Sequence, residues 1–284
     1  MRSCLIVGIG MMLLFSFGGC SGEEARSVTD ATDATDTTDA TDATDATDTT
    51  DATDATDATD ATDATDATDA TDPSQSDDPY PRPGFGLLTG ECGLMLPPAV
   101  REQGPWFINN RIDFGEDSYD ETDFLELTEG GQEIISDGNA GGSSLLSEVF
   151  AFEVLSRCED AILLKTETEI TYSDISGKKT DLLVTIGGIK WGVSVTRAVG
   201  FPRDDPYTVE RAGELLEQKL SGVIASTANV TQEDAWERQI LHVIAYGTEH
   251  LESLEAAFGL LDEDIRSNTL VWVTVSDGDD DFLY

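Results

Sequence analysis

Gly187 and Gly188 sit between two runs of strand character, 181–186 and 189–199, and they set the register of the residues best suited to chemistry. A two-residue turn at these glycines pairs Ile186 with Ile189. Asp181 then lies opposite Ser194, Lys179 opposite Thr196, and Thr185 opposite Lys190. The other face carries Leu182, Val184 and Ile186 against Ile189, Trp191, Val193 and Val195. One face is core. The other gathers a carboxylate, a lysine and two hydroxyls within cross-strand reach, with Gly192 leaving space nearby. Such a cluster suits ligand binding or catalysis, and the same pattern also describes a hairpin face turned to water. Glu148 adds a second carboxylate. Leu145, Phe152 and Leu155 flank it at helical spacing, so it lies within an apolar stripe. A carboxylate there must be paired, protonated, bound to a metal, or placed at the stripe's edge. Lys219 is similarly flanked by Ala212, Leu215 and Leu216, and can snorkel from that position.

The elements that must hold these groups follow from periodicity. A strand is expected over 105–114, then an acidic, glycine-rich stretch to residue 142. Ser143 or Ser144 caps a helix over 145–157. The run 161–172, apolar and then alternating Thr with Glu, reads as a strand. The hairpin comes next. A helix starting near Pro206 carries Val209, Ala212, Leu216 and Leu220. A strand over 239–245, a helix capped by Thr248 and a strand over 269–275 complete an α/β domain around a mixed sheet.

Helix, three strands, helix, strand, with a Glu in the first helix and an Asp entering the second strand, resembles the PD-(D/E)XK restriction-endonuclease-like core. The resemblance covers roughly residues 143–246 and rests on element order. The segment Gly-Val-Ser-Val-Thr-Arg-Ala, here Gly192 to Ala198, also resembles a group of uncharacterised proteins. The family resemblance implies that Glu148 and Asp181 are Mg²⁺ ligands of a phosphodiester-cleaving site. Its third-strand acid-x-Lys is replaced here by Ser194-Val195-Thr196. That removes an anionic oxygen ligand and the charge that stabilises a phosphorane-like state. Lys179 or Lys219 is the candidate replacement for the lysine. The site set is therefore Glu148, Asp181, Lys179, Ser194 and Thr196, with Glu148 and Asp181 as metal ligands and Mg²⁺ as the cofactor if the set is catalytic.

Charge narrows the partners. The 284 residues hold 57 acidic and 16 basic groups, a formal −41. Residues 80–284 keep thirty-eight acids and fourteen bases, a net −24. Nucleic-acid binding through a general basic surface needs clustered Lys and Arg, so none is expected. The same charge argues against electrostatic docking on an anionic membrane face.

The N-terminal region supplies a different membrane contact. Residues 1–19 read as a signal segment, with Arg2 before an apolar run too short to span a bilayer. The run ends in Phe17-Gly18-Gly19-Cys20, which resembles a bacterial lipobox and implies lipidation of Cys20. Ser21 beside it resembles the outer-membrane sorting choice. Acyl chains on one cysteine give anchoring without a transmembrane helix. After residues 20–30 come fourteen triplets over 31–72, twelve Ala-Thr-Asp and two Thr-Thr-Asp. They have no large apolar side chain and a charge every third residue, so a disordered, self-repelling tether is expected. A proline-rich linker, 73–84, leads to the α/β domain, 85–284.

Two cysteines, Cys92 and Cys158, belong to the domain. They either pair, in an oxidising compartment, or Cys158 serves as a small buried apolar group. His242 and His250 lack metal-ligand spacing. Asp277 to Asp281 resembles half a calcium loop without its closing Glu, and reads as an exposed acidic turn. The leading functional expectation is a lipid-anchored outer-membrane protein whose non-catalytic domain binds an unidentified surface ligand. The alternative is a Mg²⁺-dependent phosphodiesterase.

Overall fold

A computed structural model describes residues 80–95, 104–139, 144–203 and 205–284. The signal-like run, Cys20 and the triplet repeats lie outside the described residues. The elements are β1 (Leu87–Gly90), β2 (Trp106–Asp113), α1 (Glu129–Asp137), α2 (Leu145–Glu159), β3 (Ile162–Thr166), β4 (Leu182–Ile186) and β5 (Ile189–Ala198). They continue with α3 (Val209–Asn229), β6 (Arg238–Ala245), α4 (Thr248–Leu260), the short α5 (Glu263–Arg266) and β7 (Leu270–Asp277). Among the described residues, no helix is long and apolar enough to cross a membrane.

All seven strands join one mixed sheet in the order β1-β2-β7-β6-β5-β4-β3. β2, β7, β6 and β5 are parallel neighbours. β1 pairs antiparallel with β2 at one edge, and β3, β4 and β5 form an antiparallel meander at the other. Helices cover both faces. On one, Val149, Phe150, Phe152 and Leu155 of α2 pack with Leu182, Val184, Trp191, Val193, Ile240 and Trp272. On the other, Ala212, Leu216 and Leu220 of α3 and Leu254 of α4 pack with Leu241, Val243, Val271 and Val273. β6 and β7 are therefore buried from both sides, which is why their sequences are nearly unbroken apolar runs.

The β4–β5 hairpin has the expected register: Ile186 pairs with Ile189, Thr185 with Lys190 and Val184 with Trp191. Gly187 and Gly188 have φ of 59° and 78°, the left-handed pair that a two-residue turn between right-twisted strands requires. Other expectations change. The run 161–172 is a strand only to Thr166, because Glu169 accepts the Thr166 amide through its side chain and closes a turn. Thr248 is the first residue of α4, and Gly247 occupies the cap position. Thr208 caps α3, accepting from the Arg211 amide. The acidic, glycine-rich stretch holds α1 and a 3-10 turn at Glu121–Glu126, neither of them expected.

Candidate functional site

β4 leaves its partner one residue before Leu182. The Asp181 amide still reaches the Val193 carbonyl at 3.0 Å. The next β5 amide facing β4 is that of Val195, two residues on. No β4 carbonyl takes it. The carboxylate of Asp181 does, at 2.6 Å. A side chain thus extends the ladder where the backbone has departed, and the hydroxyls of Thr180 and Ser194 meet beside it at 3.0 Å. The expected pairing of Lys179 with Thr196 is not made, because the ladder ends before it. Thr196 is buried within β5, opposite Val243 of β6.

Asp181 sits in a cavity of about 180 Å³ between this end of the hairpin and α3. Lys178, Lys179, Ser194, Gln218 and Lys219 line it as well. Burial pushes the Asp181 carboxyl up to about 7; the Val195 amide opposes that rise, the nearby Glu148 and Glu167 carboxylates add to it, and Lys219 pulls it down. At neutral pH the group is divided between acid and carboxylate. The space expected at Gly192 is taken: a Cβ there would lie 2.6 Å from the Trp236 indole, which packs with Ile170 and Leu183.

Glu148 lies outside the lining of this cavity. It is buried in α2 and accepts from Ser144 Oγ at 2.8 Å and from Asn139 Nδ2 at 3.1 Å. Burial raises its carboxyl above the usual range, against the pull of those two donors. Ser144 stands at the helix's cap position, yet its hydroxyl serves Glu148 and makes no cap bond to a backbone amide. The apolar-stripe carboxylate is thus resolved by hydrogen bonding.

A Mg²⁺ ion fits these groups poorly. Hard cations want several anionic or carbonyl oxygens around one point. Among the described residues, the one group of three His, Cys, Asp or Glu with ligand atoms within 4.8 Å of one another is Glu133, Asp137 and Glu169, all exposed, and it includes neither Glu148 nor Asp181. Lys178, Lys179 and Lys219 line the cavity with Asp181, while the Glu148 and Glu167 carboxylates act on Asp181 from nearby.

Sequence reasoning placed Asp181, Ser194 and Lys179 together, and flagged Lys219 without assigning it to the set. It missed Lys178, Gln218, Thr180 and Glu167. Gln218 and Lys219 carry a readable signal, being adjacent polar residues of α3 at its border with the stripe Ala212, Leu216, Leu220. Elsewhere the structure joins Cys92 to Cys158 by a disulfide. Two of the four acids of the half calcium loop are committed to ion pairs, Asp277 to Arg111 and Asp281 to Arg203. His242 is enclosed, with Nε2 2.8 Å from Thr274 Oγ1.

No family model and no solved structure matches the chain. It is 45% identical over 158 residues to the AAC-rich mRNA clone AAC4 protein of Dictyostelium discoideum, a match covering 54% of this chain and 23% of that protein. The chain thus spans less than a quarter of the length of the curated relative it matches.

Proposed function

We propose that the domain binds the anionic group of a small ligand in the Asp181 cavity, without turning it over, on a restriction-endonuclease-like scaffold tethered to the outer membrane through Cys20. One observation carries the binding part. Three of the fourteen basic residues in 80–284 line a single small cavity on a domain of net charge −24. Its volume suits a phosphate, sulfate or carboxylate group with a few waters, and is below the roughly 300 Å³ at which drug-sized ligand pockets begin. Lysines offer point charges, Ser194 and Gln218 offer neutral hydrogen bonds, and Asp181 offers a donor when protonated. The scaffold reading is supported by the order α2-β3-β4-β5-α3-β6 and by the parallel return of β6 beside β5.

Metal-dependent phosphodiester cleavage is the second reading. The observation favouring it is the electrostatic coupling of Asp181 to Glu148, Glu167 and Lys219. One titration separates the two. Sulfate, inorganic phosphate, and Mg²⁺ or Mn²⁺ are added separately to the protein while the melting temperature is followed. Anion binding predicts a rise with sulfate and phosphate that Lys219→Met diminishes, and none with metal alone. A metal-specific rise abolished by Asp181→Asn would reverse the order of the readings. The anchor is tested apart, by acyl labelling of the expressed protein. Cys20→Ala should abolish label incorporation and release the protein from the membrane fraction.

A further inference from the structure

The last turn of α2 grips the chain's approach to the domain with four consecutive residues. The Arg157 guanidinium donates to the carbonyls of Arg82, Phe85 and Gly86 at 3.0, 2.7 and 2.7 Å, while its own carbonyl accepts from the Arg82 amide. Cys158 is bonded to Cys92, and its carbonyl accepts from the Gly93 amide at 2.9 Å. The Glu159 carboxylate takes the amides of Leu94 and Met95 at 3.0 and 2.7 Å. Asp160 pairs with Arg82 at 2.6 Å and accepts from the Tyr80 hydroxyl. Arg157 and Glu159 are 3% and 5% exposed, so two buried charges find hydrogen-bonding partners in the backbone of this strap. Even Gly84 is fitted to the grip: a Cβ there would lie 2.9 Å from the Arg157 side chain.

Hydrogen bonds at the rim and one covalent bond divide this work unequally. Chain upstream of Tyr80 that is pulled, or opened by a protease, first meets exposed contacts at Arg82 and Asp160, which hold weakly in water. Peeling then runs through β1 and stops at Cys92. Below the strap lie Arg157 and Glu159, charges that water can solvate on release. The strap's buried apolar residues are Phe85, Leu88 and Met95, whereas both faces of the sheet are packed by α2, α3 and α4.

We infer that the end of α2 is a redox-locked anchor: with Cys92–Cys158 closed, disturbance from upstream halts at Cys158, and with it reduced the 80–95 strap releases while β2 to β7 stay folded. Amide hydrogen exchange on the whole chain, with and without a phosphine reductant, tests this. Reduction should speed exchange at Gly93, Leu94 and Met95 by at least about tenfold and leave Val243 and Val273 unchanged. Unchanged rates in the strap would show that the disulfide is dispensable for holding it. Equal acceleration in strap and core would show that the disulfide staples the whole domain. Either result overturns the inference. Cys92→Ser should reproduce the effect without reductant. In the oxidised chain, Arg157→Met should loosen residues 82–86 and spare 93–95, which Cys92 still holds.

Discussion

The Asp181 carboxylate and the Val195 amide, 2.6 Å apart, complete a sheet with a titratable group. That geometry has an energetic consequence. An unfolded Asp ionises near 3.9, whereas burial holds this one up at about 7. Between those values the folded state keeps a proton that the unfolded state has lost. Unfolding then releases a proton, so this group's contribution to stability falls as pH rises from about 4 to about 7, and levels off above.

Asp181→Asn should therefore stabilise the protein at pH 8, on the order of 1–2 kcal/mol after allowing for partial solvent access. The advantage should shrink toward pH 4. Chemical denaturation at both pH values measures it. Destabilisation of equal size at both would mean that the folded group is an anion held by the lysines and the Val195 amide. A more stable variant with weaker anion binding would mark the aspartate as kept for function at the expense of stability.

His242 slopes the opposite way. Burial pushes its imidazole down to about 3, so below about pH 6.5 the unfolded state takes up a proton that the fold refuses. Stability is lost as pH falls from about 6.5 toward 3. The tautomer also follows from the bonding. Thr274 gives its one hydroxyl proton to Asn110 Oδ1 at 2.7 Å, so His242 Nε2 must donate to Thr274, and Nδ1 has no hydrogen-bond partner among the described residues. Nitrogen shifts of the ring should report an Nε2–H tautomer unchanged from pH 8 to 4.5. Thr274→Val should cost about 1–3 kcal/mol by orphaning both neighbours. Titration of His242 near 6 would refute the assignment.

Much of the architecture was readable because particular residues have one reading. Two adjacent glycines suggest the β4–β5 turn and its register, and the apolar runs of β6 and β7 mark them as strands. The end of the ladder was unreadable, since nothing in Lys179-Thr180-Asp181 signals that a side chain takes over the backbone's bonds. α1 was hidden by its composition. Gly130 and Gly131 look like loop residues, yet a Cβ at Gly130 would lie 2.4 Å from the Phe152 ring and one at Gly131 2.3 Å from Glu153 Oε1. They are glycines so that α1 can approach α2. The alternating Thr and Glu after β3 mimic a strand's period, while Thr166 and Glu169 are spent closing a turn. The cavity was half readable, because its α3 contribution depends on how that helix crosses the hairpin.

Gly192 separates packing from ligand binding. Adding a methyl group drives it into the Trp236 indole, whose Nε1 donates to Thr227 Oγ1 at 2.9 Å. Gly192→Ala should cost about 1–3 kcal/mol, as overpacking does when an aromatic ring must shift. Trp236 should become more solvent-exposed, visible as a red shift of the tryptophan emission. Unchanged stability and emission would mean that the indole can slide without loss, and that the small Ile170–Leu183–Trp236 cluster is soft.

Lys219 is the sharpest test of the cavity. It reaches the site from α3, across the cavity from the hairpin end, and it is half-buried where Lys178 and Lys179 are exposed. A charge in partial shelter from water attracts an anion more strongly than one on the rim. Lys219→Met keeps the aliphatic stem against the helix stripe and removes only the ammonium, so the fold should melt within about 0.5 kcal/mol of the original. Loss of one charge-assisted hydrogen bond should weaken sulfate or phosphate binding by roughly 10- to 100-fold, against less than about threefold for Lys178→Met. Calorimetric titration at low and high salt reads both. Equal losses at the two lysines, vanishing together in salt, would reduce the cavity to a diffuse positive patch with no built site.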